Sequence, residues 1–491
     1  MRYILALLLL VSCKAESKKE SGQPAKPQGM KPPVAGDMSS SMGQPSKAIA
    51  PVVKAVAPVK KVAPVLSDDL TLDDMSKIIA GIKPKVSSQV KPIVEDEAWV
   101  SHKKRIDHTW KKYVTKRQEL VAKWSTEFLS PVHKAKGMLF YPFSGPDILH
   151  AEFFFPHSDR IVMIGLEPAG SVLNFKKVLK KDFHRYLARI EKTVKHITQL
   201  SFFLTKYMAM QMFHKDVKRI NGTLPTILFF LSRLGHTIIS VERITLSPDG
   251  AIIHKAGRVI DHSDVPVMAG MGSMKIEKGM KAAMKAIMKA AMAPSPAPDA
   301  KPAGMKKKKR IRSTDDDRIF STMKKAYEVI GNRVTFQRAD GSKATLEYFS
   351  MNLCDEVVLG RNGLKKKPEI VNFLKKLPIT TTYLKSASYL LHRPTFSIIR
   401  SAILDKTQFL LQDDSGFPIK HFTNDQWTNR FFGDYYQPIK MFAVRYQKDL
   451  KKIYKNKKNI GPLPFGIGYK TYKGRSNLMF SVRNKPASAA K

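Results

Sequence analysis

Residues 137–168, GMLFYPFSGPDILHAEFFFPHSDRIVMIGLEP, decide the fold class. GMLFY (137–141) is an apolar run that reads as a strand, PFSGPD (142–147) carries the glycine and prolines of a turn, and ILHAEFFF (148–155) reads as a helix. RIVMIGL (160–166) is a second strand, closed by Glu167 and Pro168. A strand, a helix and a strand in this order predict a parallel α/β unit.

The same alternation continues outward. Helices are expected over most of 174–234, with a break near Asn221-Gly222. A hairpin then turns at SPDG (247–250), between IISVERITL and AIIHKAG. VTFQRADGSKATLEYFSMNL (334–353) is a second hairpin around Asp340-Gly341. PEIVNFLKKL and TFSIIRSAIL read as helices and QFLLQ (408–412) as a strand, while LPFGIGY (463–469) and SNLMFSVR (476–483) read as a closing strand pair. Upstream, SDDLTLDDMSKIIAGI (67–82) predicts a short helix with Ser and Asp caps that stops at Gly81. After the linker KPKVSSQVKP, Trp99, Ile106, Trp110, Tyr113, Leu120, Val121, Trp124 and Phe128 form the apolar stripe of one long amphipathic helix. That stripe needs cover, and docking on the parent domain is the simplest source.

The chain opens MRYILALLLLVSC: a basic Arg2, an apolar run from Ile4 to Val11, then Ser12 and Cys13. The run is far short of the about 20 residues that span a bilayer, and reads as a processed secretory signal. Leu10-Val11-Ser12-Cys13 resembles the lipobox of bacterial lipoproteins. The resemblance implies a signal over residues 1–12, acylation of Cys13 and anchorage to a membrane, and Lys14 next to it favours the outer membrane of a Gram-negative cell. Residues 13–66 are Pro-, Ala- and Lys-rich with almost no aromatics and read as a disordered tether. The remaining divisions are a helical region at 67–130, a first part of an α/β body at 131–265, a basic Met/Lys/Ala/Pro-rich insertion at 266–312, a second part at 313–485 and a tail at 486–491.

With 85 Lys and Arg against 41 Asp and Glu the net charge is +44, which excludes an acidic solubilising chain. The excess concentrates at 275–312 and 442–485. Such stretches are ordinary solvated faces, or they contact anionic lipid headgroups or envelope polymers. Nucleic acid is disfavoured as a partner because the N-terminal signal places the chain outside the cytoplasm. Two cysteines, Cys13 and Cys354, make no disulfide framework.

The strongest local cluster is Tyr141 to Asp147, with Glu167 at the end of the next strand. Strand, glycine turn, helix and an acidic residue about twenty positions on is how nucleotide-binding units hold phosphate and ribose. Residues 137–167 are similar to the first unit of Rossmann-fold methyltransferases. That resemblance implies a Rossmann-like sheet within the mixed α/β class, and a ligand site at Tyr141, Ser144, Gly145 and Glu167. Gly145 is the turn's only glycine, and Pro142 and Pro146 stand where a glycine-rich loop would meet its ligand. The turn therefore departs from the family pattern, and no cofactor is assigned. The alternative is structural, with Ser144 or Asp147 capping the helix and Glu167 in a salt bridge.

In QDDSGFP (412–418), Asp413 and Asp414 end a strand, where metal or general-base chemistry belongs, and the same residues are also turn formers. With Asp147 they are the candidate catalytic carboxylates. WTNRFFGDYYQPIKMF (427–442) lines a groove or fills a core. No metal site is assigned: Asp147, His150, His157 and Asp159 lack zinc spacing, and the Met series from 268 to 292 alternates with Lys as a basic amphipathic segment does. The reading is of a lipid-anchored envelope protein that binds or scaffolds without catalysis. An envelope enzyme or degenerate Rossmann-like transferase with its pocket at the strand ends is the alternative.

Overall fold

A computed structural model describes residues 70–485 apart from 86, 174, 176–179, 201–221, 258, 261–328, 362–364, 439 and 469–475. The signal, Cys13, the tether and the basic insertion at 266–312 lie outside the described residues. Eleven strands form one mixed sheet. They are β1 Met138–Pro142, β2 Arg160–Gly165, β3 Thr237–Leu246, β4 Ile252–His254, β5 Ile330–Gln337, β6 Lys343–Ser350, β7 Thr380–Leu384, β8 Thr407–Gln412, β9 Trp427–Gly433, β10 Ile460–Gly461 and β11 Asn477–Arg483. Their order is β10-β9-β11-β8-β7-β1-β2-β6-β5-β3-β4.

The expected parallel unit is present: β1 pairs β2 in parallel from Met138↔Arg160 to Pro142↔Ile164. Five strands are mutually parallel, in the order β8-β7-β1-β2-β6. Taken by position in the chain, they run 3-2-1-4-5 from β6 to β8, so the winding direction reverses between β1 and β7. Antiparallel strands extend both flanks: β5, β3 and β4 beyond β6, and β11 beyond β8, followed by β9.

Alternate side chains of the parallel strands feed two cores. Leu139, Tyr141, Ile161 and Met163 join one, and Met138, Phe140, Val162 and Ile164 join the other. A strand buried on both faces shows no polar alternation, which is why these runs read as continuously apolar. Helices cover each face. On the first lie α1 Leu72–Ile79, the long helix, α6 Ile148–Phe154, α7 Lys180–Leu200 and α8 Leu224–Arg233. On the second lie α10 Pro368–Lys376, α11 Ser397–Lys406 and α12 Lys448–Lys455.

The amphipathic stripe is one helical run built of α3 Glu97–Trp110, a π-helical stretch Lys111–Thr115 and α4 Lys116–Phe128. It docks on the body. Trp99, Ile106, Val114, Val121 and Trp124 are buried, the Trp99 indole donates to Ile78 O, and that of Trp124 donates to Pro462 O. The Trp124 ring meets Phe432 at 4.8 Å and Phe465 at 5.8 Å.

Three local readings are corrected. The short N-terminal helix is capped by Thr71, not Ser67 or Asp68: Thr71 Oγ1 accepts from Asp74 N while the Asp74 carboxylate accepts from Thr71 N. The linker at 83–92 ends in a short helix, α2 Lys91–Val94. The last strand does not pair with Leu463–Gly468; β11 runs antiparallel to β8 and β9. The aromatic run is therefore strand and core, with Trp427, Phe432 and Tyr435 buried. Among the described residues no helix is long and apolar enough to cross a membrane.

Candidate functional site

In open α/β sheets, loops leaving the carboxyl ends of strands on either side of a winding reversal diverge and leave a crevice. Here those loops follow β1 and β7. After β1 the chain turns through Phe143 at φ +61° and Gly145 at φ +54° into α6. After β7 it turns through Ser386 at φ +61° and ψ −83°, a conformation outside the ordinary menu for a residue with a Cβ. Each loop beside the reversal thus carries a strained residue, and strain of this kind persists only where the surroundings hold it.

The turn after β1 is pinned to β2. Ser144 N donates to Ile164 O at 2.9 Å, and the Ser144 hydroxyl donates to Gly145 O and Ile164 O. A Cβ on Gly165 would lie 3.1 Å from the Gly145 Cα, so the two glycines let the loops touch. Ser144 is not the cap of α6. Asp147 holds the N-cap position, yet its contact with His150 N is 3.5 Å, the limit of a hydrogen bond.

The stronger partners of Asp147 lie elsewhere. Its Oδ1 faces His150 Nδ1 at 2.7 Å; its Oδ2 accepts from the Tyr141 hydroxyl at 2.8 Å and pairs with Lys385 Nζ at 2.5 Å. All four side chains are buried. Burial alone would raise the Asp147 carboxyl, but the charges and hydrogen bonds of His150 and Lys385 hold it well below the usual carboxylate range. Burial lowers His150 to about 4, against the pull of Asp147. At neutral pH the imidazole is therefore neutral, and Lys385 is the cation that keeps Asp147 ionised. Burial also lowers Lys385, with Asp147 opposing. Arg117, on the long helix, donates to Thr198 O and adds its field to the cluster.

His150 Nδ1 lies 2.7 Å from Asp147 Oδ1, which can only accept, and 3.1 Å from Lys385 Nζ, which can only donate; the shorter contact assigns the proton to Nδ1 and the lone pair to Nε2. That Nε2 is buried with no hydrogen-bond partner among the described residues, and the same is true of the Tyr383 hydroxyl and the Ser386 hydroxyl. Buried polar atoms are almost always satisfied. Such atoms also occur elsewhere among the described residues, at Thr226, His236 and Thr395 for example, and three of them belong to residues around this reversal.

The second acidic pair stands at the end of β8. Asp413 accepts from Ser386 N at 3.1 Å, from Ser415 N at 2.9 Å and from the Ser415 hydroxyl, so the expected turn chemistry is real. Asp414 accepts from the Tyr389 hydroxyl and from Asn477 Nδ2 at 3.0 Å. Burial, reinforced by Asp414, pushes Asp413 up to about 6. Glu167 ends β2, and the Tyr348 hydroxyl donates to its carbonyl at 2.8 Å with its carboxylate 3.5 Å away.

The structure thus joins Tyr141 and Asp147 directly and connects Asp413 to them through the Lys385-Ser386 turn. Ser144 and Gly145 form the wall of the turn, Glu167 lies beside Gly165, and Asp414 is held by Tyr389 and Asn477. The sequence reading missed Lys385 and Ser386 because it assigned no strand to TTTYL. Among the described residues no group of three or more His, Cys, Asp or Glu side chains is placed to hold a metal. The His157 ring meets that of His133 edge-on at 5.3 Å instead of joining His150.

No family model, curated protein or solved structure matches the chain.

Proposed function

We propose that this is a lipid-anchored cell-envelope protein whose Rossmann-like α/β body binds a small polar ligand in the crevice between the β1 and β7 loops. The observation that carries the reading is that His150 Nε2, Tyr383 Oη and Ser386 Oγ, on the residues that flank the Asp147-Lys385 ion pair, are all buried with no hydrogen-bond partner among the described residues. The 3-2-1-4-5 order of the parallel strands supports the Rossmann-like part of the reading. The lipobox at Leu10 to Cys13 supports the anchor.

A nucleotide phosphate does not fit the β1 turn. Pro142 and Pro146 carry no N–H, Ser144 N is spent on Ile164 O, Ile148 N on Pro146 O, and α6 is only seven residues long. The site therefore departs from the dinucleotide pattern in its chemistry, as the sequence departs in its glycines. What remains is an acceptor at His150, two hydroxyls able to give or take a hydrogen bond, and a buried charge pair that fixes them. An imidazole lowered to about 4 is a weak base at neutral pH, so the arrangement favours recognition over proton abstraction.

A second reading has support of its own: Lys448, Lys452, Lys455, Lys457 and Lys458 line the exposed side of α12 and the turn after it, a cationic strip suited to anionic envelope polymers. Thermal unfolding of the full chain against nucleosides, sugars and amino acids, and separately against anionic glycans, separates the two. A ligand at a hundred times its dissociation constant stabilises by about 2.7 kcal/mol, a shift of several degrees. The crevice reading expects a small-molecule shift that Asp147→Asn abolishes and 0.5 M salt (an approximate working value, about three times physiological) leaves in place. Shifts with glycans alone, fading in salt, overturn it.

A further inference from the structure

The most exposed large apolar side chain among the described residues stands beside a run of lysines. Val444 is 88% exposed, whereas the next such residue, Ile239, is 47% exposed. The segment that carries it, Lys440–Arg445, is pinned on both sides. Phe442 is buried with its ring 4.4 Å from that of Tyr389. Tyr446 stacks on Tyr435 with centroids 6.1 Å apart, and Gln447 N donates to the Tyr435 hydroxyl at 2.9 Å. Val444 lies between these fixed points and adds nothing to the core. Tyr446 is itself 43% exposed.

The helix α12 begins four residues after Val444. Leu450 and Tyr454 are buried and Ile453 is half-buried, so the opposite face, with Lys448, Lys452 and Lys455 at i, i+4 and i+7, looks outward. Lys457 and Lys458 continue the exposed strip in the next turn. Its acidic neighbours are Asp449, 3.4 Å from Lys452, and Asp434, 3.3 Å from Lys457. Both lysines stay exposed in these pairs, and exposed pairs bind their members weakly. Four residues of chain span at most about 14 Å, so Val444 and the lysines belong to one patch.

We propose that Val444, Tyr446 and the lysines of α12 form a docking surface for an anionic lipid bilayer. Val444 enters the interface, the Tyr446 ring sits at headgroup level, and the lysines lie over the headgroups. The charge is complementary to anionic lipid and repels a second copy of the same patch. A lysine close to such a surface strengthens binding about fivefold, and tyrosine is favoured at the boundary between apolar and wet layers. Lysines alone would suit a soluble polyanion equally well. A polyanion offers nothing to an aliphatic side chain in open water, whereas a bilayer removes it from water. The inference is independent of the crevice, and directs the lysine strip toward lipid instead of polymer.

The test is fluorescence of the full chain carrying Val444→Trp, mixed with phosphatidylglycerol–phosphatidylcholine vesicles whose acyl chains are brominated. Trp99, Trp124 and Trp427 are buried and Trp110 is partly buried, so the added indole is the one a bilayer reaches. It should shift to the blue and be quenched by the anionic vesicles, but not by pure phosphatidylcholine vesicles, and high salt should reverse both changes. Changing Lys448, Lys452 and Lys455 together to Gln should weaken the binding read by this quenching about a hundredfold, at about fivefold per lysine. The same change at the exposed Lys104, Lys111 and Lys116 of the long helix should alter it by less than about fivefold. Vesicles that sediment with the chain while the Val444→Trp indole stays unquenched overturn the proposal, because another segment then makes the contact. Equal losses from the two lysine triples overturn it as well. Heparin binding that needs Lys448, Lys452 and Lys455, without quenching by vesicles, overturns the lipid surface and leaves the polymer reading standing.

Discussion

Two buried carboxylates on the same sheet, Glu347 and Asp147, hold two opposite lessons. Glu347 sits on β6 between two arginines. Its Oε2 takes Arg160 at 2.7–2.8 Å and its Oε1 takes Arg333 at 2.9–3.0 Å, so the carboxylate is fully engaged and its partners reach solvent. Both neighbours are arginines, whose planar fork suits a fixed structural pair. No β5 or β6 residue around it holds a positive φ; the only one nearby is Gly341 in the hairpin turn. Asp147 is also paired, but with a lysine, a histidine and a tyrosine, on loops that carry two strained residues and three polar atoms without a partner among the described residues. A closed ion cluster stabilises pairing between strands. An open one, at the carboxyl ends of strands where the winding reverses, is where the proposed ligand would sit.

The contrast is sharpest in the cost of losing a cation. Lys385→Ala leaves Asp147 buried beside a neutral imidazole, and breaking a buried pair in this way costs about 3–5 kcal/mol. Arg333→Ala leaves Glu347 still paired with Arg160, whose guanidinium reaches solvent, so about 1–2 kcal/mol is expected. Urea denaturation at pH 7 measures both. Equal losses would mean that the Asp147 cluster is no less screened than the Glu347 cluster.

Acid and base behaviour follows next. Asp413 has a folded pKa of about 6 against about 3.9 in the unfolded chain, so the folded state holds the proton more tightly. Its contribution is present below pH about 4 and is lost as the pH rises to about 6, a change of about 2–3 kcal/mol. His150 runs the other way. Lowered to about 4 from about 6.5, it stabilises fully above pH 6.5 and loses about 3 kcal/mol as the pH falls through that window. The two slopes oppose each other between pH 4 and 6. Asp413→Asn should therefore expose the histidine slope, so that stability now rises steeply with pH over this range. Stability curves from pH 4 to 8 check this.

The smallest expected effect is strain relief. Ser386→Gly removes the Cβ from a backbone at φ +61° and should stabilise by about 1 kcal/mol, after allowing for the greater freedom of glycine in the unfolded chain. Ligand binding should weaken in the same variant. A destabilised Ser386→Gly would mean that the turn carries no strain.

Much of the frame was legible because burial on both faces turns strands such as FYP and IVMIG into unbroken apolar runs, and because Gly250 and Gly341 mark their hairpins. The site was half legible. Asp147, Asp413 and Glu167 stood at strand ends and could be read as candidates. Lys385 could not, because β7 is TTTYL. Its threonines satisfy one another inside the sheet, with Thr380 Oγ1 3.1 Å from Thr382 Oγ1 and Thr382 2.7 Å from Thr407, so a buried strand looked polar. The lysine after it looked like one more charge in a chain with 85 basic residues. The closing strand pair was misread for a related reason: β11 pairs with strands 44 and 65 residues upstream at their nearest ends (477 − 433 and 477 − 412), which local turn signals do not encode.

The most direct test neutralises each carboxylate in turn and measures ligand binding by thermal shift and by ligand-observed NMR in full-length Asp147→Asn and Glu347→Gln. The account predicts that Glu347→Gln lowers stability and leaves the small-molecule response intact, while Asp147→Asn abolishes that response even at a temperature where the chain is folded. Binding that survives Asp147→Asn, or is lost equally in both variants, would contradict it.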